Sequence, residues 1–447
     1  MKAASRFGLG CLMALASAAQ GQVAGADVTH QDIQGTSNYG MVGGIRGYAI
    51  GSFTCNLGDT TLLWQSNGTP GLAMNAYRLK NGRLEMVGAS WVKHACCAAS
   101  GSGCGTCNTG APGSGLKPGC RDVYSSGWNG GQSRLGPRTG INPWTGSFST
   151  LGGSSGLNAI DRRLQIVDAD LQPSQNVGAI YFLEGVYVGT DDAATRNFYN
   201  NASYKRCTVD AAFNLNVAGT TLMGTPAIQA WRDHGLGVGM PDTNVSVAMV
   251  DVDTEGRFYV ASKVVPEGNL WRYEYAVFNL NSHRAGGGFE IPVPAGVTVS
   301  GIGFKDVNYH SGEQHDNADW TGTRTAGTVR WASGRLNDPN KNTNSNALLW
   351  GMMYNFWFLA DQPPTPRNGT VILYRDGIAP NPTLSLRAPD APPCPADIDG
   401  DDDVDSDDIT SFFAAWDAGT AGGDFDGDDD TDSDDISAFF ARWDAGC

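Results

Sequence analysis

The chain has 447 residues and a formal net charge of −16, but only 17% of its residues are charged and 60 are Gly. From Cys394 to the end there are eighteen Asp, no Glu and one basic residue, Arg442, whereas the remainder carries 28 acidic and 29 basic side chains. A near-neutral body has no strong field to attract nucleic acid, and acidity confined to a tail points to a local cation site.

The chain opens with Lys2 and Arg6, an apolar stretch from Phe7 to Ala16, and the small-x-small pattern Ala16-Ser17-Ala18. That order reads as a secretory signal peptide over residues 1–18, removed on export together with Cys11. Its apolar part is too short to span a bilayer, and no later stretch is long and apolar enough to do so. The mature chain is expected to be secreted, extracellular or cell-surface associated.

Residues 19–160 read as a β-rich, Cys- and Gly-rich region. Periodicity vanishes over 98–160, where Gly, Ser, Thr and Asn dominate. Five cysteines fall there or just before it: Cys96, Cys97, Cys104, Cys107 and Cys120. With Cys55 and Cys207 they make an odd set of seven in the body. Cys104-Gly-Thr-Cys107, with His94 and Cys96, has metal-ligand spacing for zinc or copper. A disulfide-stapled loop fits an exported chain as well. The odd count leaves one thiol for another use.

Residues 161–387 read as a β-sandwich region. Trp271, Tyr273, Tyr275 and Val277 alternate with Arg272 and Glu274, as a strand with two unlike faces does. The segment 258–265 reads as its neighbour, across a turn at 266–269. Further strands are expected at 164–167, 179–188, 246–252, 298–304, 327–332, 348–359 and 370–374, all rich in β-branched and aromatic residues. The expected class is mainly β: an antiparallel β-sandwich body, as one large or two packed lobes, followed by a small all-α module. Pro363, Pro364 and Pro366 suggest a late turn, and residues 388–396 a stiff Pro-rich linker.

Glycosidase chemistry needs two carboxylates at a set separation. Candidates are Glu184, Asp191, Asp192, Asp251, Asp253, Glu274 and Glu313, with Asp251 and Asp253 on one strand face. A second polar cluster gathers His310, Glu313, His315 and Asp316 near Asp306 and Asp319. Nothing in the spacing marks two of these as partners.

The tail, residues 397–447, is a duplication. Asp397-Ile-Asp-Gly-Asp-Asp-Asp-Val-Asp-Ser-Asp-Asp408 recurs 27 residues on as Asp424-Phe-Asp-Gly-Asp-Asp-Asp-Thr-Asp-Ser-Asp-Asp435. An apolar helical segment follows each copy. Ca²⁺ takes six to eight oxygens, which a 12-residue loop supplies from positions 1, 3, 5, 7, 9 and 12. These are Asp397, Asp399, Asp401, the Asp403 carbonyl, Asp405 and Asp408, then Asp424, Asp426, Asp428, the Asp430 carbonyl, Asp432 and Asp435. Position 6 holds Asp402 or Asp429 where Gly is usual, and position 12 holds Asp for Glu. Two Ca²⁺ ions are therefore expected, with folding coupled to binding because so many carboxylates repel without them. A disordered acidic tail is the competing reading.

These loops, and the ending Trp443-Asp-Ala-Gly-Cys447, resemble dockerin modules, in particular a variant on secreted planctomycete proteins. The resemblance implies a cohesin-like or cell-surface scaffold partner. It places partner choice on Ser406, Asp407, Ser433 and Asp434. Phe412, Phe413, Trp416, Phe439, Phe440 and Trp443 are either a shared core or a docking patch. Cys394 and Cys447 bracket the module, and a disulfide between them would clip its ends. The body, through segments such as 37–40, 52–58, 91–94, 120–127, 129–137, 273–282 and 306–310, resembles a family of secreted bacterial proteins. That likeness implies an exported β-rich protein and no activity.

Three readings of function follow. The first is a secreted binding or structural β protein, anchored or assembled through the tail. The second is a polysaccharide-active hydrolase or lyase carried by the same tail. The third is a metal or redox site at the Cys/His loop.

Overall fold

A computed structural model describes residues 22–65, 70–96, 98, 101–107, 113–148, 155–308, 313, 315–337, 345–392, 394–401 and 403–445. The expected signal peptide lies outside them. Among the described residues, no helix is long and apolar enough to cross a membrane.

The body is mainly antiparallel β, as its composition predicts. Nine strands build the first sheet: β1 (Val28–Val42), β2 (Ile45–Asn56), β3 (Gly71–Lys80), β4 (Arg83–His94), β5 (Cys120–Tyr124), β6 (Leu164–Val167), β7 (Ile180–Val188), β8 (Ala202–Val209) and β9 (Leu215–Leu222). Their order is β9-β8-β7-β3-β4-β6-β2, and very short strands extend it to eleven. β1 lies on one edge of β2, while β6 and β5 share the other. The sheet curls until β1 reaches β9: the Ile33 N–H donates to Thr221 Oγ1 at 3.1 Å, and Thr36 Oγ1 donates to the Leu215 carbonyl at 2.7 Å. The boundary expected between residues 160 and 161 therefore runs through this sheet. Register is set by long-range pairing, which local composition does not encode.

Two five-stranded sheets form the second half. One takes β10 (Val245–Val252), β11 (Gly256–Glu267), β12 (Leu270–Asn279), β14 (Val299–Lys305) and β17 (Met352–Ala360). The other takes β13 (Gly286–Pro292), β15 (Thr321–Arg324), β16 (Thr328–Ala332), β18 (Pro364–Leu373) and β19 (Thr383–Pro389). Their inner faces meet through rings: Phe289 lies 5.0 Å from Phe356, and Trp331 5.3 Å from it. Sheets pack this way when alternate residues on each strand are large and apolar. Gly268, at φ +64°, supplies the left-handed turn between β11 and β12. The expected turn at Pro363–Pro366 is instead the start of β18. There β18 pairs with β19, while β13 pairs only with its later half. The prolines' missing N–H groups thus leave no ladder bond unmade.

The sandwich has a third layer. The outer face of β12 and β17 packs against β3 and β4, and both halves contribute to one core. Glu274, on the strand face opposite Tyr273 and Tyr275, is consequently buried, and Arg83 Nη2 donates to it at 2.7 Å. Arg138, only 2% exposed, bridges the same seam. Its guanidinium donates to the Ser90 carbonyl at 2.8 Å, the Gly351 carbonyl at 2.9 Å and Asn75 Oδ1 at 2.7 Å.

The tail begins earlier than composition suggests. Residues 388 and 389 belong to β19, and Ala396 is already buried in the module's core. Two helices complete it, α1 (Ser406–Asp417) and α2 (Ser433–Ala445).

Candidate metal centre

Each acidic loop folds around its last carboxylate. Asp405 caps α1 by accepting from the Asp407 N–H, and Asp408 closes a capping box behind it. Asp408 is 1% exposed. Its Oδ1 accepts from the N–H groups of Ile398 at 2.6 Å and Asp399 at 3.3 Å, and its Oδ2 from Asp405 at 2.9 Å. Asp435 repeats this with Phe425 at 2.6 Å, Asp426 at 3.1 Å and Asp432 at 2.8 Å. The twelfth residue therefore ties the start of each loop to its end.

That fold gathers oxygens. Carboxylate atoms of Asp397, Asp399 and Asp408 lie within 4.8 Å of one another, and so do those of Asp403, Asp405 and Asp408. The second copy repeats both groups as Asp424, Asp426, Asp435 and Asp430, Asp432, Asp435. The side chains of Asp403 and Asp430 join these groups, where the loop pattern assigns position 7 a backbone carbonyl. Asp401 and Asp428 stand outside the groups, and each donates its N–H to the first carboxylate of its loop, at 3.2 and 3.1 Å. Asp429 takes φ +73°, the left-handed conformation required at position 6. Asp402 lies outside the described residues.

The electrostatics match the geometry. Burial and then the Asp401 charge raise the Asp399 carboxyl above its ordinary range. The charges of Asp401 and Asp405 raise Asp403. Asp426 and Asp430 behave likewise in the second copy. Burial also pushes Asp408 up, but the N–H groups of Asp405, Asp399 and Ile398 outweigh it and hold it low. Each loop thus keeps one fixed anion amid others that repel. Oxygen-only donors of this kind suit a hard cation.

The aromatic residues after each loop form the shared core. Phe412 and Phe439 are fully buried and stack 4.3 Å apart. A feature that sequence reasoning missed joins the copies: Trp416 Nε1 donates to the Asp432 carbonyl at 2.9 Å, and Trp443 Nε1 to the Asp405 carbonyl at 3.3 Å. Each helix thereby holds the other copy's loop. The only sequence signal was Trp at the same place in both copies. Ser406, Asp407, Ser433 and Asp434 are exposed in the first turns of the helices. Cys394 is disulfide-bonded, and Cys447 lies outside the described residues.

The body's candidates are engaged in structural contacts. Glu184 is fully buried and accepts from Tyr77 OH at 2.6 Å, Asn75 Nδ2 at 2.7 Å and the Ala227 N–H at 2.7 Å. Asp192 accepts from the Val28 N–H at 3.1 Å and Asn201 Nδ2 at 2.7 Å, and burial pushes its carboxyl up to about 8. Asp191 accepts from the Leu63 N–H at 2.7 Å. Asp251 pairs with Arg257 at 2.6 Å, and Asp253 falls beyond the end of β10. Glu313 accepts from the Arg138 N–H at 2.6 Å and from Thr139 Oγ1 at 2.7 Å. Asp306 is bonded by Asn346, and burial lifts it to about 6. His310 lies outside the described residues.

The Cys/His loop is stapled by disulfides. Cys55 joins Cys104, and Cys107 joins Cys120. Cys104 and Cys107 therefore belong to different bridges, which removes them from any shared metal. His94 packs edge-on against Phe148 at 4.4 Å, and burial holds its imidazole down to about 4. Cys207 is a buried thiol that burial pushes up to about 12.

No family model matches the chain. No curated protein matches it. Among solved structures it is similar to a "Biofilm associated protein - B domain", at 10% identity over 92% of this chain and 96% of that one, with a TM-score of 0.13. A likeness at that level carries no argument about function.

Proposed function

We propose that the chain is exported and that its tail is a dockerin-like module. The module folds around two Ca²⁺ ions and tethers a binding or structural β body to a cohesin-like or surface scaffold. The observation that carries this reading is the repeated pair of carboxylate groups at the 12-residue loop spacing. Asp397, Asp399, Asp401, Asp403, Asp405 and Asp408 would hold one ion, and Asp424, Asp426, Asp428, Asp430, Asp432 and Asp435 the other. Calcium would neutralise the repulsion among them and fix the loops. Export is supported by the Lys2–Ala18 sequence pattern and by the two disulfides in the body.

Isothermal titration of the mature chain with Ca²⁺, alongside far-ultraviolet circular dichroism, tests the reading. The expected result is two ions per chain and a gain of helix on binding. Zero bound calcium, or full tail helix in chelator, overturns it. An immobilised scaffold protein should then retain the chain in calcium and release it in chelator.

A further inference from the structure

β10 is an edge strand, and its outer side is bare. Its 8 residues pair with β11 without a break in register, from Val245 opposite Lys263 to Val252 opposite Gly256. The direction of its backbone groups follows from its neighbour. The Arg257 N–H donates to Asn281 Oδ1 at 2.9 Å, and the Arg257 carbonyl accepts from the Leu280 N–H at 3.0 Å. Both partners follow β12 in the chain, so Arg257 turns its backbone away from β10. Facing residues of an antiparallel pair either bond to each other or both turn outward. Asp251, opposite Arg257, therefore turns its N–H and carbonyl to the outer edge. Alternation carries Met249, Val247 and Val245 the same way. The Val245 N–H accordingly donates to the Asp242 carbonyl at 3.1 Å and not to β11. Among the described residues, none bonds to the outward backbone groups of Val247, Met249 or Asp251.

An exposed edge is normally guarded by charge, proline, a bulge or shortness. The other edges of the two five-stranded sheets are guarded in these ways. β14 breaks register between Ser300 and Gly303, β15 has 4 residues, and β19 carries Arg387 and ends on Pro389. β10 reads Val245-Ser-Val-Ala-Met-Val-Asp-Val252, with no proline, no lysine and no bulge. Its one charge, Asp251, is held by Arg257 of the same chain at 2.6 and 3.0 Å. Met249 is apolar yet 59% exposed.

We propose that β10 pairs antiparallel with β10 of a second copy, joining two five-stranded sheets across a two-fold axis. With Ala248 on the axis, Val247 of each chain faces Met249 of the other, and Ser246 faces Val250. Cross-strand pairs then form on both faces of the joined sheet. Each Asp251 faces Val245, so the two carboxylates stand at opposite ends of the ladder. The strand is complementary to itself, as a two-fold contact requires. Outside the tail the chain balances 28 acidic against 29 basic residues, so two bodies meet without a charge barrier. A strand pair alone is a small interface, and the expected dissociation constant is on the order of 10 μM. The contact needs neither calcium nor the tail's partner.

Sedimentation equilibrium of the mature, full-length chain, from about 1 to about 300 μM, tests it. A monomer–dimer equilibrium is expected, and it should persist in chelator. Met249→Lys places a charge on the edge and should weaken the dimer about tenfold or more. Met249→Pro deletes an outward N–H that the β11 ladder does not use, and should do the same. Hydrogen exchange on the unaltered chain needs no substitution: the amides of Val247, Met249 and Asp251 should gain protection as concentration rises. A monomer throughout the range overturns the proposal, as does association that chelator abolishes or that grows beyond the dimer. So does a dimer that leaves these amides unprotected, or one that both substitutions leave intact.

Discussion

The tail and the body are held together by opposite means. The body carries almost no net charge and closes over apolar seams, with Tyr273, Tyr275, Phe358 and Trp331 fully buried. The tail has eighteen Asp, and among the described residues only Ala396, Phe412 and Phe439 form its fully buried apolar core. Small domains bury too small a fraction of their surface to be stable by that means alone. The body is therefore self-sufficient in the physical sense, whereas the tail gathers carboxylates that could hold cations. The difference teaches where each half is vulnerable.

The largest effect should come from calcium removal. In chelator, calorimetry should show the tail's transition vanish while the body's stays in place. A single transition that moves as a whole would break the contrast. Next is Arg138→Leu, which strips hydrogen bonds from the Ser90, Gly351 and Asn75 groups at the seam. It should lower body stability by about 3 to 5 kcal/mol, as leaving several buried acceptors unpaired does, with calcium affinity unchanged. Denaturant unfolding and calcium titration of the same variant check both halves of that statement.

A pH experiment sharpens the comparison further. The Asp192 carboxyl is raised by burial to about 8, so the folded body keeps a proton that the unfolded chain has released. Below about pH 4 both states are protonated, and the group imposes no pH-dependent penalty. From about pH 4 to about 8 it should make body stability fall as pH rises, because the native state binds more protons. Asp192→Asn should flatten that slope in pH-dependent unfolding, and an unchanged slope would reject the assignment. The tail's loops run the other way, since protonating their carboxylates weakens calcium binding as pH falls. The smallest effect belongs to Trp443→Phe, which keeps the ring but deletes the bond to the Asp405 carbonyl. About 1 kcal/mol is at stake. Calcium affinity at the first loop should drop about fivefold, read in a chain whose second loop is silenced by Asp424→Asn and Asp426→Asn.

Much of the fold was legible where the signal is local. The strand at Leu164–Val167 falls where its composition predicts, and the pair β11 and β12 turns at Gly268 as the punctuation predicts. The grouping of the tail's carboxylates was legible in part, because the 12-residue loop pattern is written in consecutive residues, although Asp401 and Asp428 stand outside the groups. What stayed hidden depends on distant partners. Arg138 is a lone Arg in a Gly-rich stretch, and nothing near it announces Gly351 or Asn75. Glu274 sits on the more polar face of an alternating strand, and nothing local announces that Arg83 of β4 meets it there. Glu184 resembles a catalytic candidate by type alone, and its three donors come from β3 and from Ala227. The cysteine pairing is a property of chain path, which spacing does not contain.

The join between β19 and the module has a mechanical consequence. β19 is bonded along its length to β18, and the Asp390 N–H donates to the Pro363 carbonyl at 2.9 Å. Ala396 is already in the module's core. Only the few residues between them, with prolines at 392, 393 and 395, are left to bridge the gap. At about 3.3 Å per residue, six residues reach about 20 Å even when fully extended. Such a tether is a stub and not a leash. Any surface gripping the module would keep the sandwich at arm's length and at a restricted angle. Neighbouring copies on a regular scaffold would then stand in a spaced array, presenting their bodies at a density set by the scaffold and not by diffusion.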